Sequence, residues 1–342
     1  MLLTIWLACS SPDAGTPSSD TDTPDTTDVS SSSDTDTGSP GTDTDTDTAG
    51  HDTATGSTGV TDTASTPSEA DCTSIAALPA SYTTYGWAPP VEDFTFLDDG
   101  RILAVVGGHL QAFEFGGAST ILVPNLGDVR GTRLLPDGRA ALAHITTGSV
   151  LLVDPFVGSQ EVLASGLVNP NGIAIGDDGL VYVATTARIV RLDPSDFSQE
   201  VVAEVPNRSF DGLSFSPDFS RLYFNEEVGR IHWVDFDANG DPGPVQDGPS
   251  IPVGAFGLLD GMTVDACGNL YTTEMGSTVW RVSPSGTVEQ VVVVSGVAIL
   301  PALNFGPGTG GFDADVLYVA DFTGKMHAVE VGVEGKWEPH LP

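Results

Sequence analysis

From Pro90 onward, short apolar strands alternate with polar turns, and the alternation itself repeats. Successive stretches read VEDFTFLDDGRILAVVGGHLQAFE, VRGTRLLPDGRAALAHITTGSVLLVDP, PNGIAIGDDGLVYVATTARIVRLDP, FDGLSFSPDFSRLYFNEEVGRIHWVDFD, LDGMTVDACGNLYTTEMGSTVWRVSPSG and ALNFGPGTGGFDADVLYVADFTGKMHAVEVG. Each opens on a strand of period two, turns at Asp or Gly, and runs through a second and a third strand. A fourth apolar stretch, such as SQEVLASGL or GTVEQVVVVSG, follows most of them. Helical periodicity is absent from the region. Equivalent positions Glu92, Arg130, Asn171, Asp211, Asp260 and Leu303 are spaced by 38, 41, 40, 49 and 43 residues. A period of about 40 with four strands per repeat predicts an all-β, six-bladed β-propeller over residues 72–342. The segment LPASYTTYGW has no partners of its own and is expected to close the ring by joining the sixth blade.

The first seventy residues follow another rule. MLLTIWLACSSPD is a short apolar run ending in Leu7-Ala8-Cys9, and it resembles a bacterial lipoprotein signal over residues 1–9, with Cys9 as the lipidated residue. It lacks a positively charged n-region, and an ordinary N-terminus is the alternative. Residues 10–71 are mostly Thr, Asp, Ser, Gly and Pro, with no Lys or Arg, and too few apolar side chains to offset backbone ordering. A disordered acidic linker is expected there.

Charge narrows the partners. The chain carries 47 Asp and Glu against 12 Lys and Arg, a formal net charge of −35. Nucleic acid is excluded as a partner, and membrane contact is expected only through an N-terminal lipid anchor. With the lipoprotein-like N-terminus and the acidic linker, the reading is of an exported monomer, either a cell-envelope lipoprotein or extracellular.

Propeller geometry then selects candidate residues. The first strand of every blade lines the central channel, so the residue just before it stands at one rim. Five of the six such positions are polar, and Glu92, Asn171, Asp211 and Asp260 bring side-chain oxygens together. Converging carboxylates repel unless a cation neutralises them. An oxygen-only set without His or Cys favours a hard divalent cation, calcium first. The competing reading is turn punctuation, which Asp99-Gly100, Asp137-Gly138 and Asp178-Gly179 certainly supply. Arg130, at the same rim, either holds an anionic substrate group or pairs with the carboxylates.

These repeats resemble the gluconolactonase and senescence-marker-protein (regucalcin-like) family, with its paraoxonase-type relatives, over about Pro90 to Pro342. The family's opening residues correspond to Glu92 in VEDF, Asn171 in PNGI, Asp211 in FDGL and Asp260 in LDGM, although Asp211 stands where the family usually has asparagine. The resemblance implies a calcium-dependent hydrolase acting on a small-molecule lactone or ester. It implies Asp260 as both metal ligand and base, and Asp93 as helper of a second, structural calcium. It also places the ends of the second strands, His144, Thr185, Asn225, Glu226, Glu274 and Asp321, around the same rim. His144 is then a second catalytic candidate, or a rim histidine binding nothing, and Asn225 and Glu274 are substrate-binding candidates. The alternative is a non-catalytic, calcium-braced propeller serving as a surface binding module.

Two further features complete the reading. Cys72 and Cys267 fall on the face opposite the rim and on adjoining blades, so a disulfide between them is expected in an oxidising setting. The run DFDANGD resembles the start of a helix-hand calcium loop, but Gln246 stands where the terminal Glu is needed, and a hairpin turn is expected instead.

Overall fold

The computed structural model describes residues 71–254, 257–297 and 299–341, so the expected leader with Cys9 and nearly all of the linker lie outside the described residues. Within them the chain is all β, with no helix. The first repeat folds as four antiparallel strands, Phe94–Phe96, Ile102–Val106, His109–Phe113 and Ser119–Val123. The second runs from Val129–Leu134 out to Gln160–Ala164. A seven-stranded sheet follows, in which the long strand Gln199–Phe215 is shared. Its first part is the outer strand of unit three, paired with Thr186–Leu192; its second part is the inner strand of unit four, paired with Arg221–Glu226. Unit five spans Leu259–Val264 to Val288–Val293, and unit six begins at Ala302–Phe305. Tyr82–Tyr85 pairs antiparallel with Met326–Glu330, so the earliest strand becomes the outermost strand of unit six, as LPASYTTYGW suggested.

Period-two strands buried on both faces explain how the units pack. In the second strand of unit one, Ile102 and Ala104 face unit six, whereas Leu103, between them, faces unit two. Six apolar clusters join each unit to the next, the last returning from unit six to unit one. This gives a propeller-like ring in which the inner strands are buried on both faces. Aromatic rings reinforce the returning junction, with Phe312 lying 4.9 Å from Phe96 and 5.0 Å from Tyr318 between centroids.

The ring is also fastened covalently. Cys72 and Cys267 form a disulfide, with Cα atoms 5.7 Å apart, between the segment leading to the closing strand and the first turn of unit five. Beyond the last strand the C-terminal segment crosses one end of the channel. Lys336 N donates to Val264 O at 3.1 Å, and Lys336 and Glu338 share a cavity there with Arg133, Met262 and Asn304. The DFDANGD run is a hairpin turn. The Asp237 carboxylate accepts from the Asn239 and Asp241 amides, at 2.8 and 3.0 Å, and Arg191 donates to Gly240 O at 2.7 Å.

Candidate functional site

At the other end of the channel, one cavity is lined by Glu92, Arg130, Asn171, Asp211, Asp260 and Pro301. In units one to five each stands two residues before the first regular inner-strand pair, for example Leu213↔Phe224 and Met262↔Thr272, and Pro301 directly precedes the first pair of unit six, Ala302↔Ala320. The sixth position is therefore Pro301, not Leu303. Leu303 is a strand residue, 1% exposed, packed between units five and six. In units two, four and five the rim residue and the glycine after it form a bulge, which lifts the side chain out of the ladder and re-aims it.

Those glycines are not turn punctuation. Gly100, Gly138 and Gly179 have φ of +86°, +85° and +80°, as tight turns require, but Gly131, Gly172, Gly212 and Gly261 have no positive φ. Close approach is what they allow. A Cβ on Gly131, Gly172 or Gly212 would lie 2.2, 2.2 or 2.4 Å from the backbone oxygen of Asn171, Asp211 or Asp260. A Cβ on Gly261 would lie 2.9 Å from Pro301 O. Asn171, Asp211, Asp260 and Pro301 thus sit against the backbone of the unit before them, and the glycines set that spacing.

The charges at the mouth are unevenly satisfied. Glu92 pairs with Arg130, so of the two readings of Arg130 the structure shows the pairing, and it commits Glu92 to a guanidinium instead of leaving it free as a ligand. One layer deeper, Asp93 accepts from Phe94 N and Thr132 N at 2.9 Å each and from Arg133 Nη1 at 2.6 Å. A fixed guanidinium therefore stands where the resemblance implied a second calcium. The side chains of Asn171, Asp211 and Asp260, by contrast, make no hydrogen bond or ion pair among the described residues. Burial, then repulsion from Glu227 and Glu92, holds Asp211 well above the ordinary aspartate value, although the residue as a whole keeps part of its surface exposed. Burial, then the Asp211 charge, does the same to Asp260, which is 7% exposed. Burial also raises Glu92, against the pull of Arg130.

This arrangement fits a hard cation in part. Two unpaired carboxylates and an amide offer only oxygen, and the cavity between them, about 20 Å³, has room for a water or a bare ion. No three His, Cys, Asp or Glu side chains among the described residues converge as a ready-made metal site.

The ends of the second strands do not ring the mouth as the resemblance implied. His144 is turned away: its Nδ1 accepts from Thr147 Oγ1 at 3.0 Å, its Nε2 lies against Gly127, and it does not line the cavity. Glu274 accepts from Gly254 N at 2.7 Å and from Trp280 Nε1 at 2.8 Å, within its own unit. Glu226 and Asp321 likewise meet His232 and His327, at 3.2 and 3.1 Å. In all three the ring lies six residues after the acid, a spacing visible in the sequence that marks a lock between second and third strands, not a substrate contact. Asn225 is 0% exposed and spends its carboxamide on backbone groups, so it offers nothing to a substrate. Arg133 was overlooked because, inside a strand, it reads as an outward-facing cation.

Comparison with known proteins agrees with the repeat. Residues 166–322 match the SMP-30/Gluconolactonase/LRE-like region. A gluconolactonase of Zymomonas mobilis is 26% identical over 184 residues, 46% of this chain and 51% of that protein, so the chain spans about half the length of the curated relative it matches. The solved gluconolactonase of Xanthomonas campestris superposes with a TM-score of 0.61 at 17% identity, covering 77% of this chain and 96% of that one. The calcium-binding protein regucalcin of Agrobacterium tumefaciens superposes with a TM-score of 0.60 at 19% identity, covering 76% and 95%. At such identities the superpositions speak for the fold alone. Residues 166–322, which carry units three to five and the first half of unit six, are thus similar to the SMP-30/gluconolactonase/LRE-like region.

Proposed function

We propose that this chain hydrolyses a small lactone or ester at the channel mouth, with calcium or a similar hard divalent cation held by Asn171, Asp211 and Asp260. The observation that carries the proposal is the unpaired state of Asp211 and Asp260, two carboxylates at the mouth with no hydrogen bond or ion pair of their own. Such a pair is costly to keep ionised and gains from a divalent charge. When bound, the cation supplies a positive charge against which a carbonyl oxygen is polarised and a developing oxyanion is stabilised. Asp260 takes the proton from the attacking water. The Glu92–Arg130 pair fixes one wall of the mouth. The match to the gluconolactonase-like region supports this class of substrate.

A binding module braced by calcium is the second reading, favoured by the commitment of Glu92 to Arg130 and by the small volume of the mouth. In either case we place the protein outside the cytoplasm, tethered through Cys9, because a disulfide such as Cys72–Cys267 persists in oxidising compartments. The test is a panel of aldonolactones and aryl esters assayed with chelator and with added calcium. Turnover that chelation abolishes and calcium restores is expected. Calcium uptake without turnover of any member would select the binding module.

A further inference from the structure

Asn225 occupies one position of the repeat, opposite the rim bulge on the second strand of unit four, between the pairs Phe210↔Glu226 and Leu213↔Phe224. The same register places Val105, Ala143, Ala184 and Ala320 in units one, two, three and six. Small or apolar side chains suit a position pressed against the next unit. Only units four and five carry a polar residue there, Asn225 and Thr273, and these are the units that contribute Asp211 and Asp260.

The two polar residues differ. The Thr273 hydroxyl is buried without a partner, whereas every polar atom of Asn225 is used. Its Oδ1 accepts from Gly212 N at 2.9 Å, and its Nδ2 donates to Asp260 O at 2.6 Å and to Thr272 Oγ1 at 3.2 Å. The backbone partners fix the orientation of the amide, since an N–H must meet the oxygen and a carbonyl must meet the nitrogen. One rigid group thus ties the peptide that follows Asp211 to the carbonyl of Asp260. Two buried like charges tend to drift apart, and this bridge opposes that drift.

We propose that Asn225 is a positioning residue which sets the separation of Asp211 and Asp260, and with it the affinity of the channel mouth for a divalent cation. This rests on the cation reading above. Groups that orient ligands from behind typically change metal affinity by about 10- to 100-fold when removed.

The test is calorimetric titration of the full chain with calcium chloride, with a thermal melt of each variant. Asn225→Leu, close in size but unable to form any of the three bonds, should weaken calcium binding by about 10-fold or more. Thr273→Val, at the matching position in unit five, should leave affinity within about twofold of wild type, having no bond to lose. Asp321→Asn, in unit six, should lower the melting temperature with affinity likewise held, which separates positioning from general weakening. If Asn225→Leu does not fold, Asn225→Ser reads the same change with smaller amplitude. Wild-type affinity in the Asn225 variants would overturn the proposal, as would an equal loss in Asp321→Asn. No calcium uptake by the wild type would instead bring down the cation reading on which the proposal stands.

Discussion

Glu226, Glu274 and Asp321 end the second strands of units four, five and six, and each meets a ring N–H six residues further along, from His232, Trp280 and His327. Asp211 and Asp260, each next to the residue that pairs with Glu226 or Glu274 across the strands, meet nothing of the kind. The His327 ring shows how complete the first arrangement is. Its Nε2 donates to Asp321 at 3.1 Å, and its Nδ1 accepts from Thr84 Oγ1 at 2.9 Å, so the neutral ring is fully used. Burial alone would push Asp321 up, but bonds from Thr323, His327 and the Lys325 amide outweigh it and hold its carboxyl below the ordinary value. For Asp211 and Asp260 nothing outweighs burial. An acid with its own donor serves the unit it sits in, whereas an acid without one is open to something the chain does not carry.

The sharpest way to break this contrast is Asp260→Asn. Turnover of any lactone or ester that the wild type accepts should fall by about 100-fold or more, and calcium uptake should weaken with it. The melting temperature should hold or rise, because repulsion is removed. Full activity in this variant would sink the catalytic role of the mouth. Replacing Cys72 and Cys267 together by serine acts on the opposite face. The two are 195 residues apart in sequence, and the chain-entropy account gives a loss of at most about 5 kcal/mol in denaturant unfolding. Calcium affinity of the protein that remains folded should stay within about twofold.

A smaller effect separates two uses of glycine. Gly212→Ala puts a methyl 2.4 Å from Asp260 O and should cost about 1–3 kcal/mol while weakening calcium binding. Gly138→Ala meets open space at a φ of +85° and should cost about 1–2 kcal/mol with calcium binding unchanged. Equal calcium affinities in the two variants would mean that the spacing of the rim does not matter.

The smallest effect is in pH dependence, where Asp211 and Asp260 should carry one sign and Asp321 the other. Asp211 and Asp260 are raised above 3.8, so the stability they contribute is full below that pH and lost as pH rises through their shifted values. Asp321 is lowered, so its contribution is present above 3.8 and lost as pH falls through its shifted value. Melts under chelator should therefore decline from the carboxylate range toward neutral pH, and calcium should remove that decline. Asp211→Asn should flatten it, whereas Asp321→Asn should alter only the acid side.

The strands, their order within each repeat and the closing role of Tyr82–Tyr85 could be read in advance, because alternation and a period of about 40 are one-dimensional signals. The cysteine pair could be read as well, since turn positions follow from the same repeat. Glu92, Asn171, Asp211 and Asp260 were placed at one mouth by counting register. What counting could not give was direction and competition. His144 lies within the second strand yet turns to Thr147, and Glu92 lies at the mouth yet is taken by Arg130.

Sequence by itself determined that the chain folds as repeated four-stranded units whose inner strands begin with oxygen-bearing side chains, because local alternation and turn chemistry need no distant partner to be legible. Only the tertiary structure decided which of those acids remain unpaired. Pairing depends on which donors arrive from the neighbouring unit, 35 to 40 residues away, such as Arg130 at Glu92, Arg133 at Asp93 and Asn225 at Asp260 O, and those meetings exist only once the units have packed.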